Sequence, residues 1–189
     1  MILQFVAAKV KPLFQHVSAS RCPRCRENFA HEEAPKYPFL SSKDAADMGD
    51  ALPTQPTVGT NLTDLTIQKA HVTVREVGGS MGPIWPSYYR DCKSVIFMVD
   101  AANPNQVSAS CIQLLAVLSA EPLVSASVLI LFNKIDLPCY MSLVEIKSLF
   151  RMDDIISCAK QQISVLQTSS LDGTGLQDVM HWLHSNCAQ

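Results

Sequence analysis

Three polar side chains follow directly on an apolar run in the second half of the chain. The run, residues 128–132, ends at Asn133, and Lys134 and Asp136 come next. A fixed carboxylate at Asp136 can accept from both the ring N–H and the exocyclic amine of guanine, a donor pair that adenine lacks. The Asn133 amide can bind the opposite edge of the base, and the Lys134 stem can lie over its plane. This spacing indicates a guanine-reading loop; the alternative is a strand-to-loop transition that uses Asn and Asp as turn formers.

The surrounding pattern predicts the elements that must position this loop. From Asn61 onward, short apolar runs alternate with amphipathic segments, which is typical of a β/α chain. We expect strands near 62–67, 72–77, 94–99, 128–132 and 163–166, and helices near 106–119, 144–150, 154–160 and 176–184. Ligands of open α/β sheets bind beyond the carboxyl ends of the strands, which is where Asn133 to Asp136 fall.

Three further blocks accompany this loop, at residues 56–59, 74–79 and 169–176. Taken singly, they also suit a turn, a Gly-Gly bend and a helix N-cap. In this order and spacing, the four blocks resemble the ADP-ribosylation-factor family of small GTPases, from about Ser41 to the end. The resemblance implies a three-layer, Ras-like α/β fold with a mostly parallel sheet. It divides the chain into an atypical N-terminal segment, 1–40, and a GTPase-like domain, 41–189.

The resemblance also implies roles for single residues. The Thr57 hydroxyl would bind Mg²⁺ and its backbone the γ-phosphate, while Glu76, where the family usually has Asp, would reach Mg²⁺ through water. The N–H of Gly79 would meet the γ-phosphate, because a glycine permits a close approach of backbone to phosphate. The third block would offer a backbone N–H to the guanine oxygen from its first residues, Ser169, Ser170 and Leu171. The implied ligands are GTP or GDP with Mg²⁺, and the implied partners are effector proteins that read the two switch segments.

Three departures from the family pattern bear on function. Ser80 stands where the family has the Gln that orients the attacking water, so we expect weak or absent hydrolysis and assign no catalytic residue. No G-x-x-x-x-G-K-S/T phosphate loop occurs in the 189 residues, so the family's main source of phosphate affinity is missing. The family's central first strand precedes that loop, yet the resemblance begins after it. Either residues 2–7 substitute for that strand, or the chain is a variant that folds poorly, and the sequence favours the second.

The first forty residues carry two other patterns. Cys22 and Cys25 have the spacing of one of the two ligand pairs of a zinc site, and His16 and His31 flank them symmetrically. No second closely spaced pair follows. Apolar residues within 2–17 recur at helical spacing beside basic ones, which suits a membrane-surface helix or a mitochondrial presequence, although a proline interrupts the pattern. We expect neither pattern to form an ordered unit.

Composition narrows the function. Hydrophobic residues make up 48% and charged residues 17%, which excludes an intrinsically disordered chain. A formal net charge of −2 offers no basic excess for nucleic acid, and no apolar run approaches a membrane span. The number of cysteines is odd, seven, and the last five lack the spacing of a disulfide framework, which favours a reducing compartment; we therefore expect a cytoplasmic monomer. The first hypothesis is a GTP-binding switch with weak or absent hydrolysis; the alternative is a nucleotide-independent interaction protein or a non-functional variant.

Overall fold

Alternate side chains of the apolar runs face opposite sides of one sheet. The computed structural model describes residues 4–10, 57, 59–67 and 70–187. Along β5 (Ser127–Asn133), the even-numbered residues from Val128 to Phe132 enter one buried cluster, while Leu129 and Leu131 enter a second cluster on the other face. Because both faces are covered, the run is continuously apolar instead of alternating.

The other elements follow the predicted order. The remaining strands are β1 (Gln4–Val10), β2 (Thr60–Ile67), β3 (Ala70–Gly78), β4 (Ser94–Asp100) and β6 (Gln162–Gln167). The helices are α1 (Val107–Leu118), α2 (Leu143–Phe150), α3 (Met152–Cys158) and α4 (Leu176–Cys187). Short 3₁₀ stretches lie at Pro104–Gln106 and Glu121–Leu123, and a longer, kinked one at Gly79–Asp91. The predicted helices and strands from residue 60 onward are all present, with ends that differ by no more than three residues.

Helices cover the sheet on two sides, so the predicted three-layer architecture is confirmed. The first buried cluster joins the sheet to α1, α2 and α3, through residues such as Leu114, Ile146 and Met152. The second joins the opposite face to α4, through Val179, Trp182 and Leu183. Within the described residues, no helix is long and apolar enough to cross a bilayer.

The strand order of the sheet is β2-β3-β1-β4-β5-β6. β4, β5 and β6 are mutually parallel, whereas β1 is antiparallel to both of its neighbours and β2 is antiparallel to β3. Four of the six described strands therefore run in one direction, and β1 and β2 run against them. The predicted mostly parallel sheet is confirmed in this sense.

β1 occupies a central position in the sheet. The sequence left open whether residues 2–7 would substitute for the family's first strand or whether the chain would fold poorly. The residues of β1 pair along their whole length with β3, and Gln4 to Ala8 also pair with β4. A substitute strand near residues 2–7, the less favoured alternative, is therefore what the structure contains, and the helical interpretation of 2–17 is wrong over Gln4–Val10. Cys22, Cys25 and the two histidines beside them lie outside the described residues. The proposed boundary near residue 40 also lies there and stays a prediction.

A left-handed residue corrects the predicted boundary between two helices. Arg151 has φ of 51° and separates α2 from α3, so α3 begins at Met152 and ends at Cys158, earlier than the predicted 154–160. Ser142 caps α2: it accepts from the Glu145 N–H, and Glu145 accepts in return from the Ser142 N–H at 2.8 Å. Such a reciprocal pair satisfies two backbone donors that a helix start leaves without partners.

Candidate functional site

Asn133, the last residue of β5, fastens two loops together. Its side-chain oxygen accepts hydrogen bonds from the Ser170 N–H at 3.1 Å and the Ser170 hydroxyl at 3.2 Å, and from the Lys134 N–H at 2.8 Å. Its amide nitrogen lies 3.6 Å from the sulfur of Met98 on β4. The side chain is buried, so these bonds form out of water and hold the loop after β5 against the loop after β6.

Lys134 is held in a conformation that non-glycine residues seldom adopt. Its φ is 69°, in the left-handed region, which costs about 1–2 kcal/mol for a residue with a Cβ. Its ammonium lies 2.6 Å from a carboxylate oxygen of Asp100, the last residue of β4. The other Asp100 oxygen accepts from the Ala102 N–H at 3.0 Å. The ion pair fixes the direction of the Lys134 stem.

Asp136 keeps one carboxylate oxygen available. Its Oδ1 accepts from the hydroxyl of Ser169 at 2.8 Å, and Ser169 is itself fully buried. Within the described residues, Oδ2 has no hydrogen-bond partner. The carboxylate is thus oriented from one side and open on the other, which is the arrangement needed to accept from two donors on one edge of a base.

Only one of the three N–H groups predicted to meet the guanine oxygen is uncommitted. Ser169 N–H donates to the Thr174 carbonyl at 2.9 Å, and Ser170 N–H donates to Asn133. Among the described residues, the N–H of Leu171 has no acceptor, and its side chain is exposed. The structure therefore narrows this part of the prediction to Leu171.

The loop that carries these groups is shaped by glycines and one acid. Gly175 has φ of 76°, and a Cβ there would collide with the Gln167 carbonyl oxygen. Asp172 accepts from the Thr174 N–H at 2.8 Å, and hydrogen bonds from Thr174 hold the pKa of this exposed carboxyl below its ordinary value. The loop is thus closed by hydrogen bonds among its own residues.

Thr57 and Glu76, the two predicted Mg²⁺ residues, lie in direct contact. The Thr57 hydroxyl donates to Glu76 Oε1 at 2.5 Å. Gly78 makes this approach possible, because a Cβ at that position would collide with the Thr57 carbonyl oxygen. A hydroxyl and a carboxylate are the hard oxygen donors that Mg²⁺ prefers, and this ion commonly takes one or two protein ligands beside phosphate and water.

These two residues therefore fit the ion in kind and number, although no cluster of three or more His, Cys, Asp or Glu exists among the described residues.

Gly79 follows at the start of the 3₁₀ segment and is buried, whereas Ser80 is exposed. The segment is anchored by Trp85, whose indole N–H donates to the Gly78 carbonyl at 3.1 Å.

The sheet places both groups of residues at one edge. Gly78 at the end of β3 is in register with Gln4, and Gln4 is in register with Met98, which contacts Asn133. Because β1 is reversed, its first residue lies at this edge and its last residue, Val10, pairs with Val72 at the opposite edge. β1 therefore ends far from the base-reading residues, unlike a first strand that leads into a phosphate loop.

Asp100 is a candidate site residue that the sequence pattern alone did not identify. The signal was present, because Asp100 ends an apolar run just as Asn133 does, and β4 and β5 pair in register at these two residues.

Outside this site, a cavity of about 580 Å³ lies between the 3₁₀ segment and α1, lined by Trp85, Tyr89 and Gln113 among others. It contains none of the predicted site residues.

Comparisons with known proteins show which family this chain resembles. Residues 44–187 match the sequence model of the ADP-ribosylation factor family. Human ADP-ribosylation factor-like protein 16 is 59% identical over 147 residues, which span 77% of this chain and 74% of that protein. ADP-ribosylation factor-like protein 1 of Drosophila melanogaster is 30% identical over 144 residues, 75% of this chain and 78% of its own length.

A solved structure shares the fold at low sequence identity. The Arl6 BBS3 small GTPase of Trypanosoma brucei, determined with the bound nucleotide analogue GppNp, superposes with a TM-score of 0.64 at 19% identity. The match covers 76% of this chain and 88% of that one. β1 lies outside the residues that match the family. By sequence and by fold, the chain belongs to the ADP-ribosylation factor family of small GTPases.

Proposed function

We propose that this chain binds guanine nucleotide with Mg²⁺, recognises it chiefly through the base, and hydrolyses GTP weakly or not at all. The observation that carries the proposal is the assembled base-reading set. Asn133 joins the two loops, Asp136 presents an unoccupied carboxylate oxygen, and Leu171 presents an N–H without an acceptor in the described part of the chain.

Base selectivity follows from those two groups. Guanine offers two donors to Asp136 and an acceptor oxygen to Leu171 N–H, whereas adenine offers a donor amine where guanine has its oxygen. A buried polar group left without its partner costs about 1–3 kcal/mol. Two mismatched contacts therefore disfavour adenine by roughly a hundredfold or more.

Mg²⁺ would be held by Thr57 and Glu76, with phosphate oxygens and water completing its coordination. The ion would neutralise phosphate charge. In the structure, the Thr57 hydroxyl donates to Glu76, so these side chains are already together before an ion binds. The switch segments that contain Thr57 and Gly79 would then be ordered by γ-phosphate, which is how an effector would distinguish two states.

Two features argue for weak phosphate binding and slow hydrolysis. No phosphate-loop motif occurs in the sequence, and the strand in the central position runs in the reverse direction. Ser80 stands where the family's catalytic Gln would be, and a hydroxyl on one carbon is too short to orient water in the same way.

A thermal unfolding series tests the proposal. A ligand at 100 times its Kd stabilises the native state by about 2.7 kcal/mol, which raises the Tm of a chain of this size by about 5–10 °C. We expect GTP or GDP with Mg²⁺ to raise the Tm and ATP to leave it unchanged. In Asp136→Asn, the response should move from guanine to xanthine nucleotides, while Asp153→Asn, an exposed carboxyl on α3, should respond like the wild type.

The Kd values for guanosine, GMP, GDP and GTP test whether the base makes the chief contribution to affinity. We expect Kd to change by less than about tenfold along this series, because few protein groups meet the phosphates. A steep gain from guanosine to GTP would contradict this part of the proposal and would mean that the segment outside the described residues supplies phosphate contacts.

The missing phosphate loop also favours a second candidate, a nucleotide-independent interaction protein that binds a relative's partners without switching. The thermal unfolding series separates the two candidate functions. A cooperative transition whose Tm no nucleotide moves would support the second candidate and overturn the first.

A further inference from the structure

The exposed face of α1 carries no charge. No Asp, Glu, Lys or Arg occurs between Asp100 and Glu121. Surface helices usually place charged side chains opposite the core. On α1, by contrast, the side chains of Ile112 and Leu115 are 69% and 45% exposed.

These side chains form a seam with a regular spacing. Ser108, Ile112, Leu115 and Ser119 are all exposed and follow one another at intervals of four, three and four residues. This is the spacing with which one helix packs along another in a two-stranded seam. Ala109 and Ala116, also exposed, flank the seam and leave room for a close approach. We call these six residues the α1 seam.

We propose that the α1 seam binds the α1 seam of a second copy of this chain, with the two helices antiparallel about a two-fold axis. The seam reads the same in both directions: small polar, large apolar, large apolar, small polar. A two-fold axis between positions 113 and 114 places Ile112 opposite Leu115 of the second copy and Ser108 opposite Ser119 of the second copy. The apolar pair thus lies at the centre and the serines at the two ends.

The absence of charge disfavours a charged partner and suits a second copy of the same seam. A two-fold interface brings each patch against itself, so any charge within it meets charges of its own set. A seam without ionisable residues avoids like-charge repulsion, and it offers no ion pair by which a charged partner would be selected. This inference does not depend on nucleotide binding, and it replaces the monomer expected from the sequence.

The size of the seam sets the expected affinity. Twelve helical residues at about 1.5 Å each give a contact about 18 Å long. One helix face is smaller than the roughly 800 Å² per partner of a standard stable interface, so we expect a weak dimer that forms only at high protein concentration.

Sedimentation of the full chain between 5 and 500 μM tests the proposal. We expect the weight-average mass to rise from the monomer value of 20.7 kDa toward twice that value. Ile112→Glu or Leu115→Lys alone should keep the chain monomeric at 500 μM. The double variant places each Glu opposite a Lys of the second copy, so it should associate again at low salt and dissociate at 1 M salt.

The matched control is Ile156→Glu, the same change at an exposed position on α3 that lies outside the seam, and it should associate like the wild type. A wild-type chain that stays monomeric at 500 μM overturns the proposal, whether another segment of the chain or a different protein covers the seam. Association that Ile112→Glu leaves unchanged overturns it as well. Failure of the double variant to recover rules out the antiparallel register.

Discussion

Asp100 holds the base-reading loop from the neighbouring strand. Its carboxylate pairs with Lys134 on one oxygen and accepts from Ala102 N–H on the other, with a side chain only 10% exposed. Removing it leaves the Ala102 donor without its acceptor and releases the Lys134 stem. Loss of such a partly buried acceptor costs about 1–3 kcal/mol.

We therefore expect Asp100→Ala to lower the free energy of unfolding by that amount and to weaken GTP binding by about tenfold. Asp100→Asn retains an acceptor for Ala102 but loses the ion pair. Because the Lys134 side chain is 32% exposed, its ammonium can be hydrated instead, so the stability of this variant should lie near the wild type while its GTP affinity falls as in the alanine variant. Urea denaturation and nucleotide titration measure the two effects separately. An asparagine variant that binds GTP like the wild type would remove Asp100 from the site.

Two glycines in the loop after β6 provide a matched pair of tests. Both have positive φ, 76° at Gly175 and 84° at Gly173, but only at Gly175 would a Cβ meet backbone atoms. We expect Gly173→Ala to cost about 1–2 kcal/mol from left-handed strain alone. Gly175→Ala should cost more, because the Gln167 carbonyl must also move. Equal losses in chemical denaturation would show that the loop adapts to the collision.

At the scale of elements, the start of α2 depends on a reciprocal cap. Hydrogen bonds from Ser142 hold the pKa of Glu145 below its ordinary value. Since the folded pKa is the lower one, the bond stabilises the protein above the unfolded pKa, about 4.5, and the effect is lost as pH falls through the folded pKa.

Ser142→Ala should destabilise the chain by about 1 kcal/mol at pH 7. The difference in Tm between this variant and the wild type should shrink below about pH 4.5, as Glu145 becomes protonated in both. Ser148→Ala, within the same helix and exposed, should leave Tm unchanged or slightly higher, because alanine has the better helix propensity. A difference that stays constant down to pH 3 would contradict the linkage to Glu145.

The elements that could be predicted are those whose apolar spacing is unambiguous. β4 and β5 are continuous apolar runs, so their place in the buried middle of the sheet follows from composition alone. The α2–α3 boundary could not be predicted, because Arg151 takes a left-handed conformation that its residue type does not signal. The 3₁₀ segment was missed as well, since its two prolines break any helical period.

The candidate site divides in the same way. Asn133 and Asp136 could be identified from the sequence because they follow a strand and because an amide and a carboxylate can bind the edges of guanine. The role of Asp100 depends on the register between two strands, and the availability of Leu171 N–H depends on which neighbours use their own donors. Register and hydrogen-bond competition are tertiary properties, so a pattern along the chain does not contain them.

At the scale of the whole molecule, β1 is the strand that joins two halves of the sheet. Among the described strands, β2 and β3 connect to β4, β5 and β6 only through it. Its direction could not be predicted, since a short apolar strand fits a central position either way.

A proline in β1 tests how far the sheet depends on this strand. Val6 is in register with Glu76 on one side and Ile96 on the other. Val6→Pro removes a backbone donor from a central strand and should cost about 3 kcal/mol or more, whereas Val6→Ala keeps that donor and controls for the lost side chain. Equal denaturation midpoints for the two variants would show that the rest of the sheet holds without β1.

The pairing of β1 also sets an order on folding during synthesis. The ribosome makes this strand before its partners, and Val10 pairs with Val72 while Gln4 pairs with Met98, 94 residues later in the chain. Closing so long a loop costs entropy before any contact compensates for it. At about 5–20 residues per second, the strand waits on the order of 5–20 seconds for its second partner. For that interval the nascent chain carries a strand with at least one unpaired side, a period during which chaperones are the natural protection against aggregation.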